Sequence, residues 1–240
     1  NQCPAIARIM KSHIGISLAF LLLPLVQAFS LNPESIAKLP AGDQAAWKTY
    51  LERSARAAAA DQAALQAELA TRQLQEALPA PEGGDFELPD NADAVWFASD
   101  EATALADVAI SYQTAAGGWS KHTGYSKGPR NPGMLWASQY QPGSKPHYLG
   151  TFDNHSTTEQ IRLLSGVAAA TKRQDCRQAA ARGFDCILSS QFPNGGWPQV
   201  WPLEGGYHDA ATFNDDATAN ILRLLHDAAS GKPEFAFLDE

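Results

Sequence analysis

Basic residues are scarce in this 240-residue chain, which has 18 Lys and Arg against 26 Asp and Glu and a formal net charge of -8 at pH 7. Nucleic acids are bound mainly through Lys and Arg contacts to phosphate, so the charge balance argues against DNA or RNA as a partner. An acidic partner would need a local basic cluster or a bridging cation.

Cysteine is also rare, with 3 in the chain. Cys176 and Cys186 stand ten positions apart, which on a continuous helix separates them by about 15 Å, whereas a disulfide needs Cα atoms within about 7 Å. We expect two core thiols rather than a bridge, unless Gly183 breaks the helix.

Several motifs are missing as well. The chain has no nucleophile elbow, HExxH pair, Walker loop or CxxC pair, which removes the common hydrolase, zinc and phosphate-binding signatures. Sustained strand alternation is missing too, so the predicted class is all-α. With 45% hydrophobic and 18% charged residues, the composition is that of a globular protein.

Near the amino terminus, an apolar run from Ile14 to Val26 follows Lys11 and ends at a small-residue site around Ala28. This is the pattern of a secretory signal peptide, and the run is too short to span a bilayer comfortably. We therefore interpret residues 1–28 as upstream residues plus a signal peptide. The mature protein is expected to be secreted, extracellular or periplasmic, with no membrane partner.

The remaining chain divides into an N-terminal helical segment with a linker, residues 29–90, and a main domain, residues 91–240. Residues 43–77 are rich in Ala and free of Gly and Pro, which predicts one long helix or a helical hairpin. Further helices are predicted after an N-cap at Ser99, and over about 154–171, 174–190 and 215–229.

The chain contains two kinds of internal repeat. The segments "TFDNHSTTEQIRLL" from Thr151 and "TFNDDATANILRLL" from Thr212 align without a gap at an offset of 61, and "QTAAGGW" from Gln113 is echoed by "QFPNGGW" from Gln191. Repeated units of loop, Asp/Asn cap and helix predict a toroid of helical hairpins whose loops gather on one rim.

Each copy of the first repeat places a cluster of Asp and Asn where a helix begins. The simpler interpretation is helix capping, which these residues favour. One cap needs one such residue, however, and two clusters on one rim would make an oxygen-rich site suited to Ca²⁺. The candidate metal ligands are Asp153, Asp215 and Asp216, with Asn154 beside them.

The loops before these clusters carry aromatic and basic residues that suit an acidic sugar polymer. Trp119 and Trp197 follow Gly-Gly pairs and are better explained as core anchors. For the basic residues, a solvated loop is as good an explanation as a substrate carboxylate. The candidate substrate-binding residues are Lys121, Arg130, Asn154, Trp201, Tyr207 and His208.

The segments "QTAAGGWSKH", "TFDNHSTTEQIRLL" and "NGGWPQVWPLEGGYHDAATFNDDATANILRLL" resemble the family-ten polysaccharide lyases, which are pectate lyases with an (α/α) toroid. The resemblance covers residues 40–240. It implies calcium-dependent β-elimination on polygalacturonate. It also implies calcium and substrate positions at Asp153, Asn154, Asp215 and Asp216. We also expect the protein to be a monomer.

One feature of that family has no counterpart in the chain. The family's proton-abstracting arginine lies well downstream of the "FNDD" helix, beyond Glu240, so no catalytic base is assigned and the toroid is expected to be incomplete at its C-terminus. A non-catalytic pectin-binding protein is one alternative. A triterpene-cyclase-like toroid is another, because Gln-x₃-Gly-x-Trp also resembles the signature of those enzymes.

Overall fold

The computed structural model describes residues 31–211 and 214–239. Within these residues the chain forms seven α-helices joined by loops, short 3₁₀ turns and isolated β-bridges, and no longer strand. The helices are α1 (Pro33–Ala37), α2 (Ala41–Arg72), α3 (Ala94–Phe97), α4 (Asp100–Ser111), α5 (Thr158–Thr171), α6 (Gln174–Ser190) and α7 (Ala217–Ala229). The predicted all-α class is confirmed.

Two predicted features lie outside the described residues: the signal peptide within residues 1–28, and Thr212 and Phe213 of the second repeat. Across the described residues, none of the helices combines the length and the apolar character needed to cross a bilayer.

The helix bounds follow the capping and breaking signals of the sequence. Helix α2 is one continuous helix rather than a hairpin, and it ends at Gln73 in the left-handed conformation. Ser99 caps α4 as predicted, because its Oγ accepts a hydrogen bond from the Ala102 N–H at 3.2 Å. Helix α6 has the predicted bounds, whereas α5 and α7 begin a few residues later than expected.

Helices α5 and α6 form a closely packed antiparallel hairpin, and α3, α4 and α7 pack against α5. Gly183 lies inside α6, where a Cβ atom would stand 2.5 Å from Cγ1 of Ile161 on α5. The glycine therefore does not break the helix, and its missing side chain permits the close approach of the two helices.

Residues from both predicted units contribute to one hydrophobic core. The ring of Tyr50 on α2 lies 5.4 Å from Trp201 and 5.1 Å from Phe192, measured between ring centroids. Its hydroxyl donates to the Ser190 carbonyl at the end of α6. The N-terminal helical segment is therefore packed into the same core as the loops of the main domain.

The two Gly-Gly-Trp loops have the same local structure. The Trp119 indole donates to the Ala109 carbonyl at 2.7 Å, and the Trp197 indole donates to the Ile187 carbonyl at 3.0 Å, in each case ten residues back along the chain. Both indoles are buried. The interpretation of Trp119 and Trp197 as core anchors is therefore confirmed, and the second repeat is structural.

The two thiols that the structure describes are free and buried, so the prediction of core thiols holds for Cys176 and Cys186. Burial raises the pKa of Cys176 to about 11 and raises that of Cys186 further. Both residues therefore carry protonated, unreactive thiols at neutral pH.

Candidate active site

The two Asp/Asn clusters form short 3₁₀ turns, Asp153–His155 and Asn214–Asp216, which lie against each other. Their middle residues have the same left-handed backbone, with φ 48° and ψ 46° at Asn154 and φ 49° and ψ 34° at Asp215. The residues that follow, His155 and Asp216, also have positive φ. The repeat at an offset of 61 is therefore a repeated backbone conformation, and it brings the two clusters together.

In the helices that follow, the pattern of burial agrees less closely with the gapless alignment. On α5 the buried positions include Ile161 and Leu164, and on α7 they include Ile221 and Leu224, at an offset of 60. Leu222, the residue 61 positions after Ile161, is 52% exposed. The buried positions of α7 therefore correspond best to those of α5 at an offset of 60, although Leu163 and Leu224, which are aligned at the offset of 61, are both buried as well.

Neither cluster caps its helix with a side chain. The N-cap residues are Thr157 for α5 and Asp216 for α7, and neither side chain accepts a hydrogen bond from the first helical turn. Capping, the simpler explanation of these residues, is therefore not what the clusters do. The side chains of the clusters interact instead with each other and with residues outside the two helices, as in the pairs Asn214–Asp215 and Lys121–Asp153.

Asp153 is the buried centre of the site. Its Oδ2 pairs with the Lys121 ammonium, whose side chain is 16% exposed, while its Oδ1 is buried without a regular hydrogen bond. Burial alone would raise the pKa of Asp153, but the hydrogen bond and charge of Lys121 outweigh it, so the pKa lies below the ordinary value. Interaction with this carboxylate raises the pKa of neighbouring Asp215.

An open cleft of about 430 Å³ lies over the two turns. It is strongly acidic and is lined by Asp85, Glu87, Asn154, His155, Asp215 and Asp216. Asp85 and Glu87 come from the linker and were not predicted as site residues. Nothing local in the sequence marks them, because only the tertiary fold brings residues 85 and 87 beside residues 154 and 215.

A row of aromatic and imidazole rings lies beside Lys121 and Asp153. Adjacent ring centroids in this row, which we call the ring stripe, are 3.7–5.0 Å apart, except between Tyr140 and Tyr148, which interact through their hydroxyls. In order, the ring stripe consists of His122, His147, Tyr140, Tyr148, His208 and Tyr207.

The ring stripe has two neutral imidazoles, His147 and His208, and two exposed rings, Tyr140 and Tyr207. Burial and the charge of Lys121 lower the pKa of His147 and of His208, and His122 contributes to the shift at His147. Tyr207 is 65% exposed and stacks on His208 at 3.7 Å. The predicted substrate residues Tyr207 and His208 thus stand together, near Lys121.

Two other predicted substrate residues have different surroundings. Trp201 is 1% exposed and packs against Tyr50 in the core, so its indole offers no surface to a ligand. Arg130 is 8% exposed; its guanidinium pairs with Glu68 of α2 and stacks over Trp136 at 4.0 Å. Both residues hold the site loops against the rest of the molecule, a role that the sequence analysis did not assign to them.

Among the residues that the structure describes, no three His, Cys, Asp or Glu side chains converge closely enough to hold a metal ion by themselves. The side chains of Asp153 and Asp215 interact with each other, and Asp216 lines the same cleft as Asp215. A calcium ion takes six to eight oxygen ligands. Any cation here would therefore draw further ligands from water or from a bound anion.

Comparisons with known proteins bear on this site. Residues 113–240 match the family model described as pectic acid lyase, and the comparison with curated proteins returns no match. Among solved structures, the family 10 polysaccharide lyase from Cellvibrio cellulosa is 31% identical, with a TM-score of 0.46; the match covers 64% of this chain and 45% of that chain.

A mutant of that lyase in complex with trigalaturonic acid is 30% identical, with a TM-score of 0.48; the match covers 60% of this chain and 41% of that chain. The present chain therefore matches less than half of the length of these solved structures. The family match begins at Gln113, includes both Asp/Asn turns and Lys121, and takes in just over half of the sequence. The chain belongs to the pectic acid lyase family.

Proposed function

We propose that this protein is a pectate lyase that cleaves polygalacturonate by calcium-assisted β-elimination. The observation that carries the proposal is the meeting of the two Asp/Asn turns, 61 residues apart in the chain, beside Lys121 and over an acidic cleft. Family membership supports the lyase chemistry. The match to a lyase in complex with trigalaturonic acid is in keeping with a galacturonate polymer as the substrate.

The residues present fit calcium in chemical kind. The cleft offers carboxylate and amide oxygens, the donors that Ca²⁺ prefers, and one buried oxygen of Asp153 has no hydrogen-bond partner. In the proposal Asp153, Asp215 and Asp216 hold the ion, and Asn154 lies next to the substrate. Bound there, Ca²⁺ would neutralise the uronate carboxylate and so acidify the proton on the neighbouring C5 carbon.

Lys121 serves two purposes in this proposal. Its ammonium keeps Asp153 ionised, because it lowers the pKa of that carboxyl despite burial. It also places a positive charge beside the ring stripe in a protein whose net charge is negative. A polyanionic substrate would therefore meet a local cation where the polymer must lie.

The ring stripe supports a role in orienting the polymer. Aromatic and imidazole rings present flat, amphipathic faces that suit the faces of sugar rings. Tyr207 and His208 stack on each other and are near the Lys121–Asp153 pair. We assign them to substrate binding. No residue is assigned as the base that removes the C5 proton as the bond from C4 to the glycosidic oxygen breaks.

We also propose that the protein acts outside the cell as a monomer. The support for secretion is the apolar run from Ile14 to Val26 in the sequence.

The test is incubation of the protein with polygalacturonate, with and without a chelator, while the absorbance of the unsaturated product is followed. Product that forms only with calcium supports the proposal. Binding of polygalacturonate without product would instead support a non-catalytic pectin-binding protein. If the protein neither bound polygalacturonate nor formed product from it, both functions would be refuted. A triterpene-cyclase-like activity has no support from the family match or from the charged cleft.

A further inference from the structure

We propose that Asp85, which lies before the part of the chain that matches the family, is a positioning residue of this site. It holds Asn154 and His122 in place across the acidic cleft. The effect on substrate rests on the proposed function, whereas the effect on Asn154 does not. Residues 81–88, which we call the wall segment, are then part of the site rather than a linker.

The wall segment is attached to the site loop by regular contacts. The Gly83 N–H donates to the His122 carbonyl at 2.9 Å, and the Gly124 N–H donates to the Pro81 carbonyl at 2.9 Å. Phe86 is buried, with its ring 5.1 Å from that of Tyr125. The backbone on both sides of Asp85 therefore has a defined position beside the loop that carries Lys121 and His122.

Two glycines allow this attachment. A Cβ atom on Gly83 would lie 2.5 Å from the Cα of Gly124, and a Cβ atom on Gly124 would lie 2.8 Å from the Glu82 carbonyl oxygen. Any other residue at either position would push the two backbones apart. The sequence thus specifies the contact between the wall segment and the site loop at two points.

The Asp85 carboxylate uses one oxygen for each partner. Its Oδ1 lies 2.9 Å from His122 Nδ1, and its Oδ2 accepts a hydrogen bond from Asn154 Nδ2 at 3.1 Å. Asn154 has a left-handed backbone inside the first Asp/Asn turn. A side-chain hydrogen bond at this residue opposes its relaxation to an ordinary conformation.

The two partners of Asp85 flank the central ion pair. Asn154 follows Asp153 in the chain, and His122 follows Lys121. The Asp85 carboxylate therefore links His122, the neighbour of Lys121, to Asn154, the neighbour of Asp153. Glu87 lines the same cleft but makes no such link in the structure. Mutation of Glu87 therefore tests the effect of cleft charge alone, whereas mutation of Asp85 also removes the two hydrogen bonds.

The first measurement is amide hydrogen exchange across residues 153–158, where the Ser156 N–H is bonded to the Asp153 carbonyl. Asp85→Ala should speed exchange there by roughly 5-fold or more, since it removes one hydrogen bond from Asn154 and one from His122. Asp85→Asn should show an intermediate effect, because its amide oxygen can keep one bond. Glu87→Gln and Asp90→Asn, changes in exposed residues of the same region, should leave exchange there unaltered.

The second measurement is the kinetics of the same variants on polygalacturonate. Loss of the tether should raise KM by roughly 3- to 10-fold with a smaller change in kcat, because Asn154 is placed at the substrate rather than at the reacting bond. Asp85→Asn should recover part of the loss. Wild-type exchange in Asp85→Ala would overturn the proposal, and so would faster exchange with an unchanged KM. Should the wild-type protein neither bind nor cleave the polymer, the proposed function fails, and exchange alone decides whether Asp85 positions Asn154.

Discussion

Asp61, on the long helix α2, should limit the stability of this protein at neutral and alkaline pH. Its side chain is 1% exposed, and its Oδ1 accepts a hydrogen bond from the Ala116 N–H at 2.7 Å. This bond holds the first Gly-Gly-Trp loop, which continues into Lys121. Burial raises the pKa of Asp61 to about 6, and the hydrogen bonds it accepts only partly offset that effect.

The size and sign of the effect follow from the two pKa values. The pKa of Asp61 is 3.8 for the ordinary carboxyl and about 6 in the folded protein. At 1.36 kcal/mol for each pH unit, this difference means that ionising the buried carboxyl costs the folded state roughly 3 kcal/mol. Because the folded value is the higher one, the folded state retains its proton when the unfolded state has lost it. Stability on this account falls as pH rises from about 4 to about 6, and the full cost is present above that range.

Asp61→Asn should therefore stabilise the protein at pH 8, by about 1–3 kcal/mol, and have little effect at pH 4. The amide keeps an oxygen for the Ala116 N–H and cannot ionise. Asp61→Ala should destabilise the protein even at pH 4, by about 1–3 kcal/mol, because it leaves that N–H without its acceptor.

The assay is urea unfolding of each variant between pH 4 and pH 8, with Glu52→Gln, an exposed change on the same helix, as the control. The quantity that matters is the difference in unfolding free energy between Asp61→Asn and the wild type. A difference that does not vary with pH, or a destabilised Asp61→Asn at pH 8, would refute the argument from burial.

Three further outcomes are expected. Asp153→Ala and Asp215→Ala should each weaken calcium-dependent cleavage of polygalacturonate, and wild-type activity in either variant would remove that residue from the site. Arg130→Met should lower the unfolding free energy by about 1–3 kcal/mol because it removes the charged partner of Glu68, which keeps only the Gly133 N–H, while KM stays unchanged; a raised KM would instead place Arg130 at the substrate. Trp119→Phe should cost about 1–3 kcal/mol, since it removes the indole hydrogen bond to the Ala109 carbonyl and leaves part of a buried space unfilled, and a neutral result in urea unfolding would contradict that role.

The features that the sequence could predict are those with local causes. Helix α4 begins after Ser99 because a serine oxygen can accept a hydrogen bond from the first turn. Helix α2 ends at Arg72, a few residues before the predicted stop at residues 78–84, because Gln73 takes the left-handed conformation. The two Gly-Gly-Trp loops are recognisable in the sequence because each makes the same indole hydrogen bond and therefore has the same residues. The two Asp/Asn clusters are recognisable in the sequence for the same reason, but the separate 3₁₀ turns that carry them are not, since helices are expected from about 154 and 215.

The parts that escaped prediction depend on distant partners. Trp201 was expected at a sugar-binding surface, but Tyr50, about 150 positions earlier, covers it. Arg130 was expected to face a substrate, but Glu68 neutralises it. Asp85 was missed for the opposite reason, since only the fold carries it to Asn154. An isolated motif does not reveal whether a polar or aromatic side chain ends in solvent, in the core or in a cleft.

The two turns share an unusual backbone. Among residues other than glycine, Asn and Asp adopt the left-handed conformation most readily, which accounts for its recurrence at Asn154 and Asp215, whereas Thr157 has a φ of 67°, which is costly for a β-branched residue. Helix capping does not explain them, because neither cluster caps a helix by its side chain.

The Gly-Gly-Trp loop helps to hold the most unusual of these residues, since Thr157 Oγ1 accepts a hydrogen bond from the Trp119 N–H at 3.1 Å. A buried loop anchored by its indole thus stabilises the strained end of the first turn. That turn in turn presents Asp153 to Lys121 and Asp215. The two repeats are therefore in direct contact. The Gly-Gly-Trp loop is rigid, and it supports the Asp/Asn turn that holds like-charged oxygens close together. That arrangement becomes favourable when a cation or a cationic side chain lies between the oxygens.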